Sequence, residues 1–253
     1  MEAKEREKRA RLEQMEKLCL GKWAKKEESV NTVADPGPQS YHGSGGGSGI
    51  STDPWAPPDG WVGAPEQGAL VCDVFVPSKV PLSDRWFESV PPERRYGPGE
   101  ALAMARSSTG RDVDVVIDLT NSSRYYDPSA AFESKGVVYH KVACVGKDAP
   151  PDAIAVTQFV HTVGKFLAER AARGGTGVVL VHCTHGFNRT GAMLVHYMQR
   201  TRSWPLLNDH IAEFALSRPP GIYKPDYVRE LFEQYLERRF RSTTDPGVPE
   251  WKR

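Results

Sequence analysis

The sequence contains no run of eighteen apolar residues, so none of its segments has the length and apolarity of a membrane-crossing helix. Charge of one sign is equally scarce: 33 Lys and Arg against 32 Asp and Glu leave a formal net charge of +1. Bulk electrostatics therefore does not draw this chain to polyanions, and any nucleic-acid contact must rest on local basic residues. Cysteine is sparse. The four cysteines, at positions 19, 72, 144 and 183, form no Cys-x-x-Cys pair and no metal-ligand spacing with histidine, which argues against both a disulfide framework and a structural zinc. Nor is there a glutamate-rich alternating strand to carry a divalent-ion cluster. No metal and no cofactor is expected. The charged residues from Glu2 onward argue against a secretory signal, so an intracellular protein without membrane contacts is expected.

Composition divides the chain. Residues 1–30 mix acids and bases densely along a thin apolar stripe of Leu12, Met15, Leu18 and Trp23, which reads either as a solubilising arm or as a solvated helix that docks a partner. Residues 31–57 are rich in Gly, Pro and Ser and predict a flexible linker, because such a stretch buries too little apolar surface to offset its ordering entropy. A globular domain is expected over 58–241, followed by a C-terminal linker over 242–253. Within the domain, strands are predicted at 70–76, 113–119, 136–144 and 177–181, and helices at 99–105, 152–173, 191–201, 207–216 and 226–241. Strands alternating with helices predict an α/β fold, a central, mainly parallel sheet flanked by helices, with the ligand at the carboxyl ends of the strands. Cys72 and Cys144 fall in strand-like runs and read as core thiols; closeness of either to Cys183 would permit a protective disulfide.

The most informative stretch follows the fourth strand. His182-Cys183-Thr184-His185-Gly186-Phe187-Asn188-Arg189-Thr190-Gly191 links a β-branched run to an apolar helix. Backbone N–H groups of such a loop, with the positive end of the following helix, converge on one anion and also favour a thiolate at Cys183. The thiolate has the chemistry to attack phosphorus. Arg189 supplies a planar fork for two equatorial oxygens, Thr190 places a hydroxyl beside the sulfur, and His182 is better suited to bracing the loop than to acting as a base.

His-Cys, five residues, then Arg-Thr-Gly resembles the signature of the cysteine-dependent phosphatase superfamily. With His185, Phe187 and Asn188 inside the loop, the string resembles more narrowly the RNA 5′-triphosphatase branch found as the N-terminal domain of animal and plant mRNA capping enzymes. Three further segments resemble that branch: Ser78-Lys79-Val80-Pro81-Leu82, Asp118-Leu119-Thr120-Asn121-Ser122-Ser123-Arg124-Tyr125-Tyr126-Asp127, and Arg218-Pro219-Pro220-Gly221-Ile222-Tyr223-Lys224-Pro225-Asp226-Tyr227. The resemblance covers about residues 58–239. It implies a cysteine-phosphatase-like fold and a metal-independent hydrolase that removes the γ-phosphate of nascent mRNA through a cysteinyl-phosphate, the first step of 5′ capping. It also implies a nuclear location, triphosphate-ended RNA as substrate, and a guanylyltransferase domain or subunit and the transcription machinery as partners. Thr184, Gly186 and the rest of the loop would hold the phosphate. A dual-specificity protein tyrosine phosphatase is the alternative enzyme; a non-catalytic phosphate-binding module would not need Cys183.

Two acids and four bases remain to be assigned. Asp148 stands about where tyrosine phosphatases carry their acid, or else caps the helix beginning near 152. Asp118 either orients the loop or a water, or merely forms a turn. A diphosphate leaving group needs less protonation than a phenolate, so a triphosphatase would depend little on either acid. Lys79, Arg124 and Lys224 are candidates for the β and α phosphates of the RNA 5′ end, or are solvated surface charges; Arg218 joins them or braces the loop.

Overall fold

The computed structural model describes residues 55–144, 149–202 and 206–241. The arm, most of the expected linker, the C-terminal linker and Asp148 lie outside the described residues. The described fold begins at Trp55, whose ring meets Trp86 edge-on at 5.5 Å, three residues inside the stretch expected to be linker.

Four parallel strands form one sheet in the order β1-β4-β2-β3: β1 is Phe75–Lys79, β2 Val113–Asp118, β3 Val138–Lys141 and β4 Val178–Cys183. The five long α-helices among the described residues are α1 (Pro98–Thr109), α2 (Ala153–Ala172), α3 (Asn188–Thr201), α4 (Leu207–Ser217) and α5 (Pro225–Arg241). Strand β4 lies between β1 and β2 and is buried at every position, which is why its sequence reads as an unbroken apolar run rather than an alternation. Edge strand β3 alternates exposed and half-buried residues. Pro77 sits in the other edge strand, where a missing N–H costs no ladder bond.

One cluster of buried side chains, including Phe159, Val163, Met193, Leu194 and Phe214, covers one face; a second, around Trp61, Trp86, Tyr96 and Phe132, covers the other. Both faces of the sheet are thus sealed, as an all-parallel sheet requires. Helix α2 is capped by Asp152, whose carboxylate accepts from the Ala155 N–H at 2.8 Å, the role that is one of the two readings of Asp148. No helix among the described residues is long and apolar enough to cross a membrane.

Two elements differ from the sequence reading. The first strand is not 70–76: Cys72 and Asp73 turn through φ of 56° and 59°, with Val74 N–H and Phe75 N–H both donating to the Val71 carbonyl. The strand therefore starts at Phe75 and runs to Lys79, which registers Lys79 beside Cys183. The helix after the loop opens at Asn188 rather than Gly191, which puts Arg189 and Thr190 in its first turn.

Candidate active site

Cys183 closes β4 at the carboxyl edge of the sheet, and the loop that follows wraps back over it into α3. Gly186 allows the wrap. It holds φ of +75°, and a Cβ there would sit 2.3 Å from the Ser78 carbonyl oxygen of β1, so only glycine fits the passage. Burial opposes ionisation of the Cys183 thiol, yet Arg189, the hydroxyl and N–H of Thr190 and the N–H of Gly186 outweigh it and hold the thiol below its ordinary value. Cys183 is 4% exposed, and the N–H of Thr190 belongs to the first turn of α3, whose dipole adds to the same effect.

Arg189 is stretched across the loop: Nη1 donates to the Leu119 carbonyl at 3.2 Å and Nη2 to Thr184 Oγ1 at 3.0 Å. Thus β2, the loop and the guanidinium are fixed in one frame. The Thr190 hydroxyl is buried and acts as a donor toward the Cys183 sulfur. The arrangement suits binding a tetrahedral dianion and attacking it with sulfur.

The remaining loop side chains serve as struts, which leaves the expected phosphate contacts of these residues to their backbone N–H groups. His185 Nε2 donates to the Asp59 carbonyl at 2.7 Å, and burial keeps its ring below the ordinary imidazole value. Phe187 is buried under the Arg218 guanidinium, 4.5 Å from its centroid. Asn188 Oδ1 accepts from the N–H groups of Tyr223 and Lys224 at 2.9 and 3.0 Å, tying the loop to the segment between α4 and α5. His182 is fully buried and shares a hydrogen bond of 2.7 Å with Tyr126 Oη. Only backbone N–H groups of these residues remain to meet an anion.

Asp118 is likewise not placed as an acid. It is 2% exposed; Oδ1 accepts from Thr120 N–H and Oγ1, both at 2.7 Å, and Oδ2 from Tyr139 Oη at 2.9 Å and Lys141 Nζ at 2.7 Å. His182 Nδ1 lies 3.7 Å from Oδ1. Burial opposes the charge of Asp118, but the donors win and keep its carboxyl below the ordinary value. Burial also holds His182 below its own ordinary value, so the compensating charge comes from Lys141 rather than from the imidazole. Asp118 anchors the root of the loop; it has no proton to donate near neutral pH.

The four basic residues separate. Lys79 is fully buried, with Nζ 2.9 Å from the Ala64 carbonyl, 3.1 Å from Glu66 Oε1 and 4.0 Å from the Trp61 ring centroid. It cannot reach an RNA end, because every direction around its ammonium is filled; burial lowers its pKa against the pull of Glu66. Arg218 is 1% exposed and donates to the carbonyls of His185 at 2.8 Å and Pro65 at 2.6 Å, so it braces the loop. Burial lowers its pKa to about 10, which leaves it charged at neutral pH. Lys224 meets the loop through its backbone. Arg124 is exposed, its guanidinium 5.2 Å from the Trp86 centroid and 5.4 Å from that of Tyr125. Sequence reasoning missed Tyr139 and Lys141, although they stand two apart on an alternating strand and so point to one face. It missed Glu66 and Asp59 too, for which no local signal exists. No group of three or more His, Cys, Asp or Glu side chains suited to a metal ion occurs among the described residues.

A cysteine thiolate in a loop that opens a helix, with an arginine across it, is the geometry of a phosphatase, and comparison with known proteins decides the family. Residues 99–236 match the family described as dual specificity phosphatase, catalytic domain. The chain belongs to that family. Among curated proteins it is 36% identical to an mRNA-capping enzyme of Danio rerio over 196 residues, 78% of this chain and 31% of that protein. It is 30% identical to an RNA/RNP complex-1-interacting phosphatase homolog of Caenorhabditis elegans, over 66% of this chain and 70% of that one. The chain spans about a third of the length of the capping enzymes it matches. Among solved structures, that of PTPMT1 superposes with a TM-score of 0.50 at 17% identity, over 70% of this chain and 98% of the other, which speaks for the fold alone.

Proposed function

We propose that this phosphatase domain is an RNA 5′-triphosphatase. The thiolate of Cys183 attacks the γ phosphorus of a triphosphate-ended RNA; a sulfur–phosphorus bond forms as the bond from phosphorus to the β–γ bridging oxygen breaks. Diphosphate-ended RNA leaves, and water then hydrolyses the cysteinyl-phosphate to inorganic phosphate and the thiolate. Arg189 and the loop N–H groups carry the charge of the equatorial oxygens through both steps, with Thr190 at the sulfur to ease its departure.

One observation carries the substrate assignment. The match to the family at large covers 138 residues, 99–236, whereas the match to the capping enzymes extends over 196 and so takes in segments outside the common phosphatase core. The catalytic loop is itself tied outside that core, to the Asp59 and Pro65 carbonyls, through His185 and Arg218. The setting follows as part of the proposal: action on nascent mRNA in the nucleus, beside a guanylyltransferase domain or subunit and the transcription machinery. Acid quenching during turnover of γ-labelled triphosphate RNA tests the reaction: the label is expected on the wild-type protein and absent from Cys183→Ser. Release of labelled phosphate by Cys183→Ser at the wild-type rate would refute the covalent route.

A further inference from the structure

Two phosphates, β and α, separate the γ phosphorus from the first ribose, so a triphosphatase must dock the terminal nucleoside away from its sulfur. A cavity of about 590 Å³ lies between the segment after β1 and the segment after β2, at the same edge of the sheet as Cys183, lined among others by Asp84, Arg85, Tyr126 and Asp127. Tyr126, one of its lining residues, bonds through its hydroxyl to His182 at the base of the catalytic loop. Its two walls are stitched together by Ser83 N–H donating to the Tyr125 carbonyl at 2.9 Å and by Arg85 donating to the Arg124 carbonyl. At its rim the Arg85 guanidinium lies 4.4 Å from the ring centroid of Trp55, a residue 41% exposed. Arg124 lies over Trp86, the ring that Trp55 meets edge-on.

We infer that this cavity is a subsite for the 5′-terminal nucleoside of the RNA and that it reads the ribose; the inference rests on the triphosphatase reading above. Its chemistry selects the ligand. Asp84 and Asp127 are exposed carboxylates that would repel a further phosphate inside the cavity but accept hydrogen bonds from ribose hydroxyls. The 2′ hydroxyl is the group by which a protein tells RNA from DNA. Trp55 with Arg85 upon it offers a π surface and a cation, which hold a base of any identity by stacking, and Arg85 and Arg124 stand where the phosphates on either side of the nucleoside would pass. Ribose, base and flanking charge are thus each matched by a different part of the rim.

Initial rates should be compared for a triphosphate-ended RNA, the DNA of the same sequence and inorganic tripolyphosphate, which has no nucleoside. Arg85→Ala should raise KM for the RNA by at least ~10-fold with kcat nearly unchanged, while tripolyphosphate turnover stays at the wild-type level and reports an intact loop. Asp84→Asn, a smaller change at an exposed side chain, should shrink the preference for RNA over DNA by at least ~3-fold. Equal losses on RNA and tripolyphosphate, or no change in KM and in the RNA-to-DNA ratio, would overturn the subsite. Wild-type protein that releases phosphate from neither RNA nor tripolyphosphate would defeat the triphosphatase reading itself and the subsite with it. Good turnover of all three substrates with inert variants would defeat the subsite alone.

Discussion

Lys141→Met isolates the buried anchor beneath the catalytic loop. The substitution keeps the aliphatic stem but removes the ammonium that bonds Asp118 Oδ2, Thr120 Oγ1 and the Ser122 carbonyl at 2.7, 2.9 and 2.7 Å. Breaking a buried ion pair from one side costs about 3–5 kcal/mol, because the remaining charge keeps its desolvation penalty. Tyr139 and Thr120 still donate to Asp118, so a loss near the lower bound, about 3 kcal/mol at pH 7.5, is expected in urea unfolding. The sign of the pH dependence is diagnostic. In the wild type the carboxyl lies below its ordinary value, so its contribution is complete above the unfolded-state pKa and fades only as pH falls through the lower folded one. In the variant, burial is no longer outweighed and raises the folded pKa; stability then falls as pH rises, and acidification relieves the defect. The deficit against wild type should therefore shrink by more than about half between pH 7.5 and pH 5. A loss under about 1 kcal/mol, or a deficit that does not change with pH, would refute the assignment of Lys141 as the charge that holds Asp118.

Cys183→Ser should abolish turnover while the domain stays folded and still binds phosphate; residual activity above a few per cent, roughly, would exclude the nucleophile. Arg189→Lys should lose at least ~100-fold in kcat, since an ammonium cannot replace the two-pronged contact, and a near-normal rate would remove Arg189 from the site. Because the Cys183 thiol lies below its ordinary value, kcat/KM should already be level across the ordinary thiol pKa of about 8.5, where an unperturbed thiol would still be gaining thiolate. Gly186→Ala should cost about 1–2 kcal/mol for the left-handed backbone and displace the loop from Ser78, with a fall in kcat of ~100-fold; an unchanged rate would show that the loop tolerates the shift. Deleting residues 1–50 should leave turnover of a short triphosphate RNA intact, since no catalytic motif falls there; loss of activity with a folded core would give the arm a part in substrate binding.

Where local chemistry fixes the structure, the sequence was legible. The apolar run of β4, the loop around Cys183 and the alternation of strands and helices each follow from a few consecutive residues, and the structure holds all of them. Boundaries were harder: the turn at Cys72 and Asp73 needs two non-glycine residues at positive φ, which composition does not announce. The charged residues of the site were hardest. Lys79, Asp118 and Arg218 look alike in sequence to any surface charge, and their roles come from Glu66, Lys141 and the His185 carbonyl, which are 13, 23 and 33 positions away. Burial of a charge is decided by such distant partners: Lys79 is held by Glu66 and the Ala64 carbonyl, away from any RNA end, and Arg218 takes the bracing role, one of its two readings. Arg85 and Trp55 passed unnoticed for the converse reason: neither falls in a motif, and only the fold brings them to the cavity's rim.

The most direct test of the central claim is kcat/KM for a triphosphate-ended RNA against a phosphotyrosine peptide, measured with a chelator present. The account predicts γ-phosphate release from the RNA without magnesium, and a clear preference for it, because a diphosphate departs with little protonation whereas a phenolate requires an acid. A preference for the peptide by ~10-fold, or RNA hydrolysis that disappears when the chelator is added, would contradict it.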